Sequence, residues 1–114
     1  MGTKQKIVLE GIGASPGRVR GKVKLIRFQE EVEALNCRKI VVTSFINPDF
    51  VLFIKLNPKI LGIVTDKGGV TCHAAIVMRE LKIPYVAGTL NATRKLKDDM
   101  AVILDGGKGI ICEI

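Results

Sequence analysis

The chain of 114 residues has no tryptophan, one tyrosine, one histidine and three cysteines, and each scarcity removes a class of function. Cys37, Cys72 and Cys112 are odd in number and widely spaced. They form no CxxC pair and have a single histidine to join them, so neither a metal site nor a disulfide framework is expected. The reading is free, mostly buried thiols in a reducing compartment. No apolar run approaches the ~20 residues needed to cross a bilayer. No apolar segment with a small-residue cleavage site follows the lysines of Met1-Gly2-Thr3-Lys4-Gln5-Lys6, so the chain reads as cytoplasmic, without a membrane partner. Acidic residues are also few, 11 against 18 lysines and arginines, which leaves a net charge of +7. That charge suits nucleic acid, an acidic partner face or a phosphate-bearing ligand. The basic residues are scattered without a run, and the four phenylalanines and one tyrosine are not interleaved with them as a stacking platform requires, so nucleic acid is not an expected partner.

Hydrophobic residues make up 47% of the chain and charged residues 25%, the balance of an ordered globular protein. The length fits one core, and no repeat, low-complexity tract or linker divides residues 1–114, which are expected to form a single domain.

Periodicity and turn residues give a coarse order of elements. Gly11-Ile12-Gly13-Ala14-Ser15-Pro16-Gly17 is rich in turn residues and reads as a surface loop. Val19 to Arg27 alternates polar and apolar positions around Gly21, the pattern of a half-exposed strand with a bend. A short helix over Gln29 to Leu35 stops at Asn36, and Lys39 to Thr43 reads as a buried strand. Asn47-Pro48-Asp49 opens a helix, with the proline where an N–H has no use, and Asn57-Pro58 closes it. Strands are expected at Ile60 to Thr65, Tyr85 to Ala87, Ala101 to Leu104 and Ile110 to Ile114, the last two joined by the glycine-rich turn Asp105 to Gly109.

Between the strands at Thr65 and Tyr85, a glycine pair precedes a helix that starts near Cys72, with Thr71 as its N-cap, and ends before Pro84. At about 100° per residue, Ala74, Val77, Met78 and Leu81 form one stripe that should face the sheet. His73 lies on the border of this stripe, in the first turn, where backbone N–H groups have no intrahelical partner. Three features coincide there. A helix N-terminus attracts a phosphate. Gly68 and Gly69 let bare backbone approach an anion. An imidazole with an ordinary pKa near ~6.5 offers a neutral, nucleophilic nitrogen at pH 7. His73 is therefore the candidate acceptor of a phosphoryl group, with Gly68, Gly69 and Thr71 receiving the phosphate. Cys72 and His73 point about 100° apart on a helix and do not make a thiol–imidazole pair unless the helix starts later than Cys72. Lys67 and Arg79 either assist a phosphate by charge or are plain solvated side chains. Ile76, nearly opposite the core stripe and in a row with His73 and Glu80, either docks a partner or lies under another layer of the fold.

The stretch from Gly68 through His73 to Pro84 closely resembles the mobile phosphohistidine domain of phosphoenolpyruvate-utilising enzymes, a family that includes phosphoenolpyruvate synthase, pyruvate phosphate dikinase and enzyme I of the sugar phosphotransferase system. Gly11 to Gly17, Asn47-Pro48-Asp49, Val64-Thr65-Asp66, Gly88-Thr89 with Asn91-Ala92-Thr93, and Asp105-Gly106 with Gly109 look like family features in family order. The resemblance implies an α/β fold, a swivelling three-layer β/β/α domain, with His73 phosphorylated and Thr71 its neighbour. It also implies a phosphoryl path between phosphoenolpyruvate and a nucleotide or carrier protein. Met78 departs from the family's usual small residue, on the core face. The partners implied are nucleotide-binding and phosphoenolpyruvate-binding domains or subunits; Mg2+ is expected at their active sites and no cofactor on this domain. The alternative is a non-catalytic interaction or regulatory module that keeps the same fold.

Overall fold

The computed structural model describes residues 6–69 and 72–114. Eight strands are present among them: β1 (Lys6–Glu10), β2 (Ile12–Ser15), β3 (Arg18–Leu25), β4 (Lys39–Thr43), β5 (Ile60–Thr65), β6 (Tyr85–Ala87), β7 (Ala101–Asp105) and β8 (Ile110–Glu113). Three α-helices join them, α1 (Pro48–Lys55), α2 (His73–Leu81) and α3 (Ala92–Lys95), together with a 3-10 helix at Gln29–Ala34. The strand order is β1-β8-β7-β3-β4-β5-β6-β2.

β3 belongs to two sheets. Its first half, Arg18 to Lys22, pairs antiparallel with β7, and its second half, Val23 to Leu25, pairs parallel with β4. Gly21 sits just before this change of partner, where a Cβ would come within 2.7 Å of Leu61 Cδ1. The bend read from the sequence is thus the corner between an antiparallel sheet (β1, β8, β7, β3) and a mixed sheet (β3, β4, β5, β6, β2).

Side-chain alternation along the mixed sheet sorts the interior into two cores. Ile40 and Val42 of β4, Val64 of β5 and Val86 of β6 face the antiparallel sheet, where they meet Val102, Leu104 and Ile111. Val41, Ile63, Tyr85 and Ala87 face the other way, against Phe50, Val51 and Ile54 of α1 and Ala74, Ala75, Val77 and Met78 of α2. Sheet, sheet and helices are the three layers of a β/β/α fold. Strands covered on both faces read as continuous apolar runs, which is why Lys39 to Thr43 is legible as a buried strand, and Ile60 to Thr65, read simply as a strand, is buried as well. α1 begins as expected, with Pro48 in its first turn and Asn47 Oδ1 accepting from Phe50 N at 2.8 Å. No helix among the described residues is long and apolar enough to cross a membrane.

Four expectations are corrected. The glycine-rich segment read as a loop contains β2, paired antiparallel with β6. Gly11 and Gly13 serve close approach instead of turning: a Cβ at Gly11 would lie 2.5 Å from Ala87 O and one at Gly13 2.4 Å from Gly106 O, while Gly17, at φ +124°, lies beyond the strand. Leu81 does not complete the buried stripe of α2; it is 40% exposed in the last turn, while Ala75 is fully buried. The cysteines are not mostly buried, since Cys37 is exposed, Cys72 half-buried and only Cys112 buried. The residue capping α2 is Cys72, and Thr71, expected there, lies outside the described residues. Two short elements, β1 and α3, carry too few residues to show a period and were not anticipated.

Candidate functional site

The site lies at the carboxyl end of the parallel strands, the usual place for a ligand in an open α/β sheet. β5 ends at Thr65, and the turn 66–69 is pinned to the end of β4 by Asp66 N and Lys67 N, which donate to Thr43 O (3.3 Å) and Ser44 O (3.1 Å). The Thr65 hydroxyl donates to Lys67 O at 2.6 Å. That commits its one proton, so the Tyr85 phenol, 3.0 Å away, is the donor in its contact with Thr65 Oγ1. Burial pushes the Tyr85 phenol up to about 12 and keeps it a neutral donor beneath the turn.

The two glycines differ. Gly68 has φ +116°, and a Cβ there would sit 3.2 Å from Tyr85 Oη, so glycine is required by the backbone conformation. Among the described residues, a Cβ at Gly69 would meet nothing within 4 Å. None of the described residues crowds the second glycine. From Gly69 the chain reaches Cys72, whose N–H (3.4 Å) and thiol (2.9 Å) both donate to Gly69 O. Cys72 stands outside the helix in extended conformation, so the 100° step between helical neighbours does not apply to it; its thiol is engaged by the glycine carbonyl.

His73 is the first residue of α2 and its side chain is exposed. The N-cap Cys72 makes no side-chain cap bond, and the first N–H groups of a helix have no partner within the helix itself. Ala74, Val77 and Met78 are buried as expected, Ile76 is 45% exposed, and Glu80 is exposed. The row containing His73 and Ile76 therefore faces outward and not under another layer. Arg79 donates from Nη1 to Ala14 O at 2.7 Å and ties α2 to β2, whereas Lys67 is exposed in the turn.

A second loop, 88–91, flanks the first. Gly88, at φ +64°, lies against Gly68, whose carbonyl oxygen would be 3.1 Å from an added Cβ. Thr89 N and Oγ1 both donate to Thr65 O, at 3.1 and 3.0 Å, and Leu90 N donates to Asp66 O at 3.0 Å. The carboxylate of Asp66 closes the clamp: Oδ1 accepts from Thr93 N (3.0 Å) and Oδ2 from Thr93 Oγ1 (2.6 Å). The segments Val64-Thr65-Asp66, Gly88-Thr89 and Asn91-Ala92-Thr93, far apart in sequence, form one hydrogen-bonded frame around the glycine turn. Thr65, Asp66, Tyr85, Thr89 and Thr93 were not read as parts of a site. Their sequence signal is only the burial of polar residues, which is invisible without the fold. Among the described residues no group of three or more histidine, cysteine or acidic side chains could hold a metal ion.

Residues 35–109 match the family model described as PEP-utilising enzyme, mobile domain, and the chain belongs to that family. It is 51% identical over 108 residues to a probable phosphoenolpyruvate synthase of Archaeoglobus fulgidus, covering 95% of this chain and 14% of that protein. With a probable phosphoenolpyruvate synthase of Methanothermobacter thermautotrophicus it shares 48% identity over 109 residues, covering 96% of this chain and 16% of the relative. The chain thus spans about one seventh of the length of these curated relatives. Among solved structures, an Enzyme I protein matches with a TM-score of 0.62 and 34% identity, over 70% of this chain and 32% of that one. The holo-form of aconitase X from Thermococcus kodakaraensis superposes over 99% of both chains with a TM-score of 0.64, at 19% identity, a likeness of fold alone.

Proposed function

We propose that this chain is a phosphoryl carrier, a single domain over residues 1–114 in which a ring nitrogen of His73 accepts a phosphoryl group at one partner site and delivers it at another. The observation that carries this reading is an exposed imidazole at the first position of α2, behind a turn whose second glycine is crowded by no described residue. The nitrogen lone pair attacks phosphorus, the bond from phosphorus to the donor oxygen breaks, and that oxygen leaves with the electron pair; the second transfer breaks the N–P bond in the same sense. In the carrier state the dianionic group lies beside the open N–H groups of α2 and the bare backbone of Gly68 and Gly69, which offset its charge. Thr71, outside the described residues, is assigned to the same phosphate by its place in the sequence.

Phosphoenolpyruvate and a nucleotide or carrier protein are the donor and acceptor that suit this family, held on phosphoenolpyruvate-binding and nucleotide-binding domains or subunits. Mg2+ belongs to those sites. Transfer depends on positioning and charge stabilisation in water-excluded sites, so this chain alone turns nothing over. Incubation with labelled phosphoenolpyruvate and an extract of its own cells should place an acid-labile, base-stable phosphate on the protein. His73→Ala should remove it, and label that persists in this variant rules the reading out. The exposure of Ile76 beside His73 favours one other reading, a non-catalytic interaction module. That reading gains if a partner co-purifies while His73 takes no label from phosphoenolpyruvate or ATP.

A further inference from the structure

Gly68 shares a positive φ with Lys82 (φ 58°), Leu90 (φ 72°) and Asp99 (φ 67°), so the conformation alone marks no site. What distinguishes its turn is where the carbonyls point. Lys67 and Gly68 are both exposed, and a carbonyl between them has water within reach. It turns inward instead, to the hydroxyl of Thr65, a residue with 0% exposure. Tyr85, 1% exposed, donates to that hydroxyl in turn. A phenylalanine would fill the same space in the core; the phenol adds a donor for Thr65.

The hydroxyl is held firmly. Thr65 pairs with Thr43 of β4, and its own carbonyl accepts from both Thr89 N and Thr89 Oγ1. In a trans peptide the carbonyl and the following N–H point in opposite directions. With Lys67 O drawn into the fold, the Gly68 N–H is aimed out of it, and no acceptor among the described residues takes that N–H. Gly69 O is engaged in the same manner, by the N–H and thiol of Cys72. Since His73 follows Cys72 directly, this bond ties the turn to the backbone on which the imidazole stands.

We infer that Thr65, with Tyr85 behind it, is a positioning residue for the phosphoryl group: it locks the 67–68 peptide so that the Gly68 N–H is presented to phosphoryl oxygens carried on His73. This rests on the carrier reading above. A donor fixed in advance needs no reorganisation when the negative charge arrives. A peptide free to rotate would offer its carbonyl as well, and a carbonyl oxygen repels the dianion.

The test compares isosteric and conservative changes. Thr65→Val keeps the shape and removes the hydroxyl, Thr65→Ser keeps the hydroxyl, and Tyr85→Phe removes the phenol oxygen alone. Each protein is loaded with potassium phosphoramidate, from which the imidazole nitrogen displaces ammonia, or, where that donor loads nothing, with labelled phosphoenolpyruvate and cell extract. Thr65→Val should load about tenfold more slowly, the scale of one charge-assisted hydrogen bond weakened. Its phosphohistidine should also show a displaced phosphorus NMR resonance at fixed pH. Thr65→Ser should restore both readouts, and Tyr85→Phe should slow loading about two- to threefold, since Thr65 still reaches Lys67 O. A wild-type rate or an unmoved resonance in Thr65→Val overturns the positioning role, however far its urea midpoint falls, and leaves the carrier reading standing. A loss that Thr65→Ser does not restore overturns it as well. Should Thr65→Val fail to fold, Tyr85→Phe decides, and a wild-type rate there overturns the proposal. Wild type that takes phosphate from neither donor overturns the carrier reading and this proposal together.

Discussion

The two ends of the parallel strands are built to opposite rules. At the amino end backbone meets backbone: a Cβ on Gly106 would fall 1.9 Å from Ser15 O and 3.0 Å from Tyr85 N, so the β7–β8 turn is seated on β2 and β6 with no room for a side chain. Charged groups there find partners, as Lys39 and Asp99 do. At the carboxyl end no described residue crowds Gly69, the first turn of α2 has no side-chain cap, and Leu90, Phe45 and Ile76 stand out in water. The closed end fixes the register of the two sheets, and the open end leaves its groups available to something outside the fold. Stability and function are separated along one strand direction, and substitutions at the two ends should be felt in different measurements.

Glycine replacements are the strongest way to break this contrast. Gly106→Ala puts a methyl group into a backbone oxygen, and neither partner is a flexible side-chain end. Overpacking of this kind should lower unfolding free energy by about 3 kcal/mol or more, read from a shifted urea midpoint. A loss below about 1 kcal/mol would mean that the amino end is not closed as described. At the carboxyl end, Gly68→Ala forces a Cβ onto a left-handed backbone under the Tyr85 phenol and should cost about 1–3 kcal/mol. Gly69→Ala should lie within about 0.5 kcal/mol of wild type, because none of the described residues occupies the space that its methyl enters. Equal losses in the two variants would erase the distinction between a glycine required by conformation and one required by access.

The sequence carries the first of these rules better than the second. Buried strands on both faces of the mixed sheet show as apolar runs, and the α1 boundaries are written in Asn47, Pro48 and Pro58. The position of His73, exposed at the start of α2 after two glycines, is legible because the glycine pair and Pro84 bound the helix in the sequence. β2 is not legible, since glycines that allow close strand contact look the same in sequence as glycines that turn a loop. The frame of Thr65, Asp66, Tyr85, Thr89 and Thr93 is not legible either, because it consists of hydrogen bonds between residues 20 to 27 positions apart. Left-handed backbone at Leu90 is hidden for a similar reason: the sequence shows a leucine where the conformation asks for glycine or asparagine.

That mismatch sharpens the comparison at smaller energy. Leu90 holds φ 72° with its side chain 76% exposed, so the isolated chain should be more stable without that side chain. Leu90→Gly relieves the steric strain of the left-handed region, about 1–2 kcal/mol, and gives back part of this through the added freedom of the unfolded chain. A net gain of up to about 1 kcal/mol is expected, seen as a rise of several degrees in melting temperature for a chain of this size. A fall in melting temperature would show that the leucine side chain supports the fold.

The smallest effect expected is electrostatic and belongs to the amino end. The hydrogen bond to Lys39, and then its charge, hold the Asp99 carboxyl below the ordinary aspartate range, and the bond to Asp99 in turn raises Lys39 above the ordinary lysine value. For Asp99 the stabilisation is present above the unfolded-state pKa and is lost as pH falls through the lower folded value. For Lys39 it is complete below the unfolded-state pKa and is lost as pH rises through the higher folded value. The pair thus supports the fold across the broad neutral range and gives way on both flanks. Asp99 is itself mostly exposed, so the contribution is modest and should shrink with salt. Asp99→Asn retains a residue at ease with the left-handed backbone and removes only the charge. Its stability should therefore depend less on pH than wild type at both the acid and the alkaline edge, with the difference fading at high ionic strength. Melting temperatures across pH at low and high salt measure this directly, and parallel curves for the two proteins would show that the 2.6 Å contact contributes nothing to the closure of that end.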